Sequence, residues 1–151
     1  MFNYNKSNFS IFAKNCSHHG GGVMLIVPKY LCPIRRDNLE IVHEKFETLW
    51  VEINSNQDHY NLGSLINVTY SPKKQLGNEF ITFKKAEIMN ALEYKNEVFI
   101  LGDFNINLLM EKESNLVGNM CNDLNLEIVN REIPTRNSAL IDYLISNALE
   151  N

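Results

Sequence analysis

The feature that most constrains this chain is a short apolar run, residues 98–101, which ends in a glycine and a carboxylate. Four consecutive apolar residues predict a strand that is buried on both faces. Gly102 ends the run and allows other groups to approach the backbone closely. Asp103 then places a carboxylate where the strand leaves the core, and Asn105 points to the same side if the backbone stays extended. A carboxylate beside a carboxamide can hold a hard cation, a water or a phosphate oxygen.

The same residues also fit a purely structural interpretation. In that interpretation the strand ends in an Asx turn, and Asp103 or Asn105 caps the segment that follows. The chemistry of the residues alone leaves both interpretations open.

The four residues Gly102-Asp103-Phe104-Asn105 resemble the GD-aromatic-N motif of the endonuclease/exonuclease/phosphatase family, a group of metal-dependent phosphodiesterases. The longer stretch over residues 100–109 is most similar to the endonuclease domain of non-LTR retrotransposons, jockey-like elements in particular. The resemblance implies an α/β (α+β) fold of two packed mixed β-sheets flanked by helices, a four-layer α-β-β-α sandwich. It also implies one partial domain over residues 1–151, incomplete at both ends.

The resemblance further implies a function. We expect phosphodiester hydrolysis that depends on Mg²⁺ or Mn²⁺, with DNA as the substrate of a retrotransposon-type endonuclease. One alternative is a phosphatase of the same fold that acts on inositol phosphates or lipids. Another is a non-catalytic remnant or binding module.

Four side chains are carried over from the family motifs as catalytic residues. Asp103 would align or deprotonate the attacking water, and Asn105 and Tyr70 would hold the phosphate. Asp103 and Asn105 are also the predicted metal ligands. Tyr70 belongs to a Tyr-x-Pro motif, although Lys73 departs from the residues that usually follow that proline.

Asp142 is the fourth of these residues, and its local sequence has two interpretations. The apolar residues over 140–149 fit a helix stripe, which would leave Asp142 on the solvent side. The stretch over residues 138–143, however, is similar to the S-x-[LR]-I-D-[HY] strand of the family, in which the Asp lies at the active site. The resemblance therefore favours a strand and places Asp142 near the scissile phosphate.

Two family motifs are not found in this sequence. No E-T-type strand with a metal-binding Glu precedes the Gly-rich segment, and no S-D-H motif follows Asp142. His43 and His59 lie in other segments and are poor substitutes for the motif histidine. We therefore expect the activity of the chain as it stands to be impaired.

The composition restricts the mode of DNA binding. The formal net charge is −4 and the sequence pI is about 5.6, so nonspecific binding through a general positive charge is not expected. Any contact with DNA must be local, and the candidate basic patches are Arg35–Arg36, Lys73–Lys74 and Lys84–Lys85.

Cysteine usage and hydropathy indicate an intracellular protein, nuclear or cytoplasmic. The 3 cysteines include no CxxC pair, which argues against a disulfide framework or a zinc site. His18–His19 and the glycines at 20–22 are interpreted as loop residues rather than a metal or phosphate site. No apolar run is long enough to cross a membrane. Nothing in the sequence specifies an oligomeric state.

Hydrophobic periodicity predicts the remaining elements. Strands are expected over residues 23–27, 49–53, 62–70, 98–101 and 126–129, and helices over 78–92 and 114–124, with lysines on the exposed side of the first helix. The absence of a strict βαβ alternation disfavours a Rossmann-type sheet.

Overall fold

A computed structural model describes residues 8–15, 22–54, 63–72, 77–95, 97–129 and 133–148. The strands and α-helices in chain order are β1 (Phe9–Asn15), β2 (Gly22–Pro28), β3 (Ile34–Arg35), β4 (Glu47–Ile53), β5 (Ser64–Tyr70), α1 (Gly77–Tyr94), β6 (Val98–Asp103), α2 (Glu111–Asp123), β7 (Glu127–Ile128) and β8 (Asp142–Ser146).

The described strands form two sheets. Strands β1 and β2 pair as an antiparallel two-stranded sheet, and the other strands form a six-stranded sheet in the order β3-β4-β5-β6-β8-β7. The β5–β6 pairing is parallel, and α1 makes the crossover between these strands. The other pairings within the six-stranded sheet are antiparallel, so the sheet is mixed.

The six-stranded sheet is covered on both faces because its strands alternate between two apolar cores. Trp50, Leu65 and Ile100 belong to the larger core, which also contains the buried residues of both helices. Leu49 and Val51, which point the other way along β4, pack against residues of β1 and β2. The two-sheet sandwich with helices is thereby confirmed. Both described helices lie on the same face of the large sheet.

The apolar runs predicted the correct type of each element, and the observed ends differ from the predicted ends by a few residues. The run over 23–27 is the core of β2, and the helix predicted over 78–92 is α1. Residue 62, predicted to begin β5, lies outside the described ranges. Strand β1 was not predicted, because its apolar residues stand within a polar segment, and β3 is only two residues long.

The prediction that the lysines of α1 face solvent is wrong for Lys84. Its side chain is fully buried, and its Nζ donates to Asn67 Oδ1 at 3.1 Å and forms an ion pair with Glu87. Lys84 follows Phe80 by four residues and precedes Ile88 by four, which places it on the buried stripe of the helix. A polar cluster under the large sheet, formed by Thr48, Asn67, Lys84 and Glu87, compensates the charge.

The other predicted basic patches carry acidic partners or are not described. Arg35 pairs with Glu40 and Arg36 with Glu52. Lys85 pairs with an acidic side chain of α2. Lys73–Lys74 lies outside the described residues. These ion pairs neutralise the two patches that were predicted as local DNA contacts and that the structure describes.

Cys121 is buried and Cys32 is partly exposed, and Cys16 lies outside the described ranges, as do His18–His19 and the first two glycines of the Gly-rich segment. Neither described helix combines the length and the apolar character that a membrane crossing requires.

Candidate functional site

The candidate site is a row of polar side chains that crosses three neighbouring strands at one end of the large sheet. Tyr70, the last residue of β5, is in register with Asp103, the last residue of β6. Asp103 is in turn in register with Asp142, the first residue of β8. Directly opposed residues in a sheet have Cβ atoms about 5 Å apart. The pairing therefore brings together side chains that are far apart in the sequence, and we call this group the polar row.

The polar row lies on the face of the large sheet that packs on β1 and β2. Tyr70 contacts the smaller core between the sheets. Val98 and Ile100 of β6 belong to the core under the helices, so Asp103, at odd spacing from both, points to the opposite face. The same alternation in β8, where Tyr143 lies in the helix-side core, places Asp142 on that face as well.

Asp142 begins β8 because a tight turn at residues 135–139 brings the chain alongside β6. The Oγ1 of Thr135 accepts hydrogen bonds from the backbone N–H groups of Ile141, at 3.2 Å, and Asp142, at 3.1 Å. The N–H of Arg136 donates to the carbonyl oxygen of Ala139 and closes the turn. The strand interpretation of this segment is correct, and the helix suggested by its apolar periodicity is not formed.

Asp103 and Asp142 line an open pocket of about 520 Å³ beside Gly102, Val129 and Leu144. Partial burial raises the pKa of the Asp103 carboxyl above its usual range, and the Asp142 carboxylate raises it further. The backbone N–H of Asn105 and the guanidinium of Arg136 act in the opposite direction. The Asp103 carboxyl therefore keeps its proton to a higher pH than a free aspartate does, and it lines an open pocket.

This raised pKa gives a signed prediction for the pH dependence of stability. Between the unfolded and the folded pKa of Asp103, the folded state binds more protons, so the free energy of unfolding falls as the pH rises through that window. The substitution Asp103→Asn removes this titratable carboxyl group. We expect the stability difference between Asp103→Asn and the wild type to grow from acidic pH toward neutral pH, in favour of Asn. Urea denaturation in EDTA from pH 3.5 to 7 measures it, and a constant difference would contradict the prediction.

The structure corrects the expected orientation of Asn105. Its φ is +51°, in the left-handed region, so the backbone is not extended after β6. The N–H of Asn105 donates to Asp103 Oδ1 at 3.0 Å, which is the Asx turn of the structural interpretation. Its Nδ2 donates to the carbonyl oxygen of Ser71 at 2.6 Å. Asn105 is therefore fixed beside the end of β5, next to Tyr70, by hydrogen bonds rather than by strand alternation.

Gly102 allows β5 and β6 to pair at the site. Its φ is +150°, and a Cβ on this residue would lie 1.8 Å from the carbonyl oxygen of Thr69. Only glycine fits this backbone conformation and this close approach. The residue therefore sets the position of Asp103, which follows it directly.

We expect Gly102→Ala to lower the free energy of unfolding by at least about 1–3 kcal/mol because of the backbone conformation alone. The matched control is Gly118→Ala in α2, where a Cβ meets no atom within 4 Å. That control should be stabilising by about 0.5–1 kcal/mol, since alanine is favoured within helices. Urea denaturation compares the two variants, and equal effects would contradict the role of Gly102.

Sequence reasoning missed Glu47, the first residue of β4. It is in register with Tyr70 and so extends the polar row by one strand. The residue is only 8% exposed, and neither carboxylate oxygen has a hydrogen-bond partner in the described part of the chain. The sequence does contain a signal for it: Glu47 has the alternate spacing of Leu49 and Val51, so a strand extended to Glu47 places all three on one face.

His43, the one histidine in the described ranges, does not join the polar row. His43 stacks on Phe46 at a ring separation of 4.5 Å and lies near Glu79 of α1. His59 lies outside the described residues, as does Lys73.

Comparison with solved structures identifies the fold. The endonuclease domain of TRAS1, a telomere-specific non-LTR retrotransposon, superposes with a TM-score of 0.61 at 14% identity over 93% of this chain. An endonuclease/exonuclease/phosphatase family protein from Bacteroides thetaiotaomicron gives 0.61 at 10% identity over 93%. The chain has the endonuclease/exonuclease/phosphatase fold. D. rerio TDP2, in complex with a single-strand DNA product, gives 0.59 at 13% identity over 94%.

The chain spans 68%, 60% and 63% of the lengths of these three structures, respectively. No protein-family model matches the sequence, and no curated protein matches it. The likeness to the endonuclease/exonuclease/phosphatase fold therefore rests on tertiary structure together with the short motifs described above.

The polar row contains oxygen donors of the kind that a hard divalent cation takes as ligands. Within the described ranges, no three His, Cys, Asp or Glu side chains are close enough to hold a metal ion by themselves. Mg²⁺ nevertheless needs only one or two protein carboxylates, because it keeps several waters and takes substrate phosphate oxygens as ligands. The unpaired, buried carboxylate of Glu47 and the partly buried one of Asp103 are donors of the required kind.

Proposed function

We propose that this protein hydrolyses phosphodiester bonds of DNA in a reaction that requires Mg²⁺ or Mn²⁺, as an endonuclease of the retrotransposon type. The main support is the polar row itself, in which sheet register aligns Tyr70, Asp103 and Asp142 at one end of the sandwich. The structural neighbours are nucleases and phosphatases of the same fold, which supports phosphodiester hydrolysis in general.

Asp103 is the proposed base. It aligns the attacking water and removes its proton at the carboxylate. Its carboxylate lines the open pocket beside Asp142, where a water can reach it. Asp142, opposed to it across β6 and β8, contacts the site near the scissile phosphate and orients Asp103.

Tyr70 and Asn105 are the proposed phosphate ligands. The Nδ2 group of Asn105 carries two hydrogens, of which one is donated to Ser71, so the other is available to a phosphate oxygen. The Tyr70 hydroxyl donates from the end of the neighbouring strand. Both side chains act by hydrogen bonds that strengthen as negative charge develops on the phosphate in the transition state.

The charge of the site explains the proposed need for a divalent cation. The polar row and Glu47 bring three carboxylates to one end of the sheet, and a phosphodiester is itself an anion. Asp103 and the carboxamide oxygen of Asn105 would hold the cation. When bound, it neutralises charge on the phosphate as a Lewis acid.

We also propose that residues 1–151 act as one domain, because the helices, the large sheet and the small sheet pack on one another in the described ranges. Two neighbours, the TRAS1 endonuclease domain and TDP2 bound to single-strand DNA, favour a nucleic-acid substrate over an inositol phosphate or a lipid.

The test is a nicking assay with supercoiled plasmid in the presence of Mg²⁺, Mn²⁺ or EDTA. We expect slow nicking with either cation, in line with the impaired activity predicted from the sequence, and none in EDTA. Release of inorganic phosphate from an inositol polyphosphate is measured in parallel. Turnover of that substrate without nicking would replace the endonuclease proposal by the phosphatase alternative, and turnover of neither would favour a non-catalytic role.

A further inference from the structure

The environment of Glu47 is unusual for an acidic side chain. The residue is more than nine-tenths buried, yet both of its carboxylate oxygens lack a hydrogen-bond partner within the described ranges. Burial of an ionised carboxylate without compensation is strongly unfavourable. Such a group therefore needs a partner that is not among the described side chains.

Strand alternation places Glu47 on the same face as the polar row. The next residue, Thr48, points into the helix side, where its hydroxyl donates to Glu87 of α1. Leu49 and Val51, two and four residues after Glu47, pack against the small sheet. The Glu47 side chain consequently lies on the small-sheet side, which is also the side of Tyr70 and Asp103.

The register then fixes the neighbours of Glu47. It is opposed to Tyr70, and Tyr70 is opposed to Asp103, so the two carboxylates flank the tyrosine on alternate strands. Two strand spacings put their backbones roughly 10 Å apart. A glutamate and an aspartate side chain that lean toward each other, with a hydrated cation between them, are long enough to bridge such a separation.

The chemistry of the partner follows from the charges. A phosphate group is repelled by a carboxylate, and no described basic side chain is in contact with the Glu47 oxygens. A divalent cation satisfies buried carboxylate oxygens, and Asp103 supplies a second acidic group nearby.

We propose that Glu47 binds, directly or through a water, the divalent cation of the polar row, with Asp103 as the second carboxylate. The proposal rests on the proposed metal-dependent function and adds a ligand from β4 to it. The proposal gives β4 a role in cation affinity, and the family motifs described above do not include this strand.

The test compares wild type, Glu47→Gln, Glu47→Asp and the control Glu44→Gln, whose residue is exposed in the preceding loop. Mn²⁺ binding is measured by isothermal titration calorimetry, and stability in EDTA by urea denaturation. We expect Glu47→Gln to weaken Mn²⁺ binding by about tenfold to hundredfold, Glu47→Asp to be intermediate, and Glu44→Gln to match the wild type. In EDTA, Glu47→Gln should be at least as stable as the wild type, because it removes an uncompensated charge.

Each possible result of these measurements either supports the proposal or overturns it. Unchanged Mn²⁺ affinity in Glu47→Gln overturns it, as does lower stability of this variant in EDTA, which would show that protein groups already pair with the carboxylate. If the wild type does not bind Mn²⁺, the proposed function and this inference both fail. If the wild type binds Mn²⁺ through Glu47 but does not nick plasmid, the cation site stands and the endonuclease function is wrong.

Discussion

Asp103→Asn should reduce metal-dependent plasmid nicking by about 10²–10⁴-fold, which is the range for loss of a general base. The carboxamide has the same shape as the carboxylate and can still accept the hydrogen bond from the Asn105 N–H through its oxygen. The Asx turn and the strand pairing around it are therefore retained. Initial rates of nicking at saturating Mg²⁺ measure the effect, and circular dichroism checks the fold.

The matched control is Asp123→Asn, at the end of α2. Asp123 is exposed and pairs with Lys85 on the surface, an interaction that contributes little to stability. Its nicking rate should equal that of the wild type. An Asp103→Asn variant as active as this control would remove Asp103 from the proposed mechanism.

Lys84→Met should lower the free energy of unfolding by about 3–5 kcal/mol, because it leaves the buried Glu87 carboxylate without its cation. Burial lowers the pKa of the Lys84 ammonium, and the Glu87 carboxylate beside it opposes that effect. Methionine has a similar length and keeps most of the packing against Phe80 and Phe83. Urea denaturation at pH 7 measures the loss.

Two further variants separate charge from packing. The double variant Lys84→Met/Glu87→Leu removes both charges and should recover most of the lost stability, since a buried ion pair contributes little over well-packed apolar side chains. Lys85→Met, the neighbouring exposed lysine, should change the stability by about 0.5 kcal/mol or less. If Lys84→Met resembled Lys85→Met, the polar cluster under the sheet would not be a buried ion pair in solution.

The sequence determined the elements whose signals are local. The apolar run before Gly102 forms β6, Tyr70 ends its strand directly before Ser71-Pro72, and the helical periodicities correspond to α1 and α2. These features depend on hydrophobic spacing and on residues with special backbone preferences, which act within a few positions of the chain. The family motif added the two-sheet fold, which structural comparison bears out.

Tertiary structure decided which of these residues meet. Asp142 stands at the start of a strand rather than on a helix because the turn at Thr135 and pairing with β6 outweigh its helical periodicity. Glu47 and Lys84 are buried because of the layers packed on β4 and α1, and sequence hydropathy assigns both to the surface. The polar row is a consequence of sheet register, and register is set by hydrogen bonds between segments that are distant along the chain.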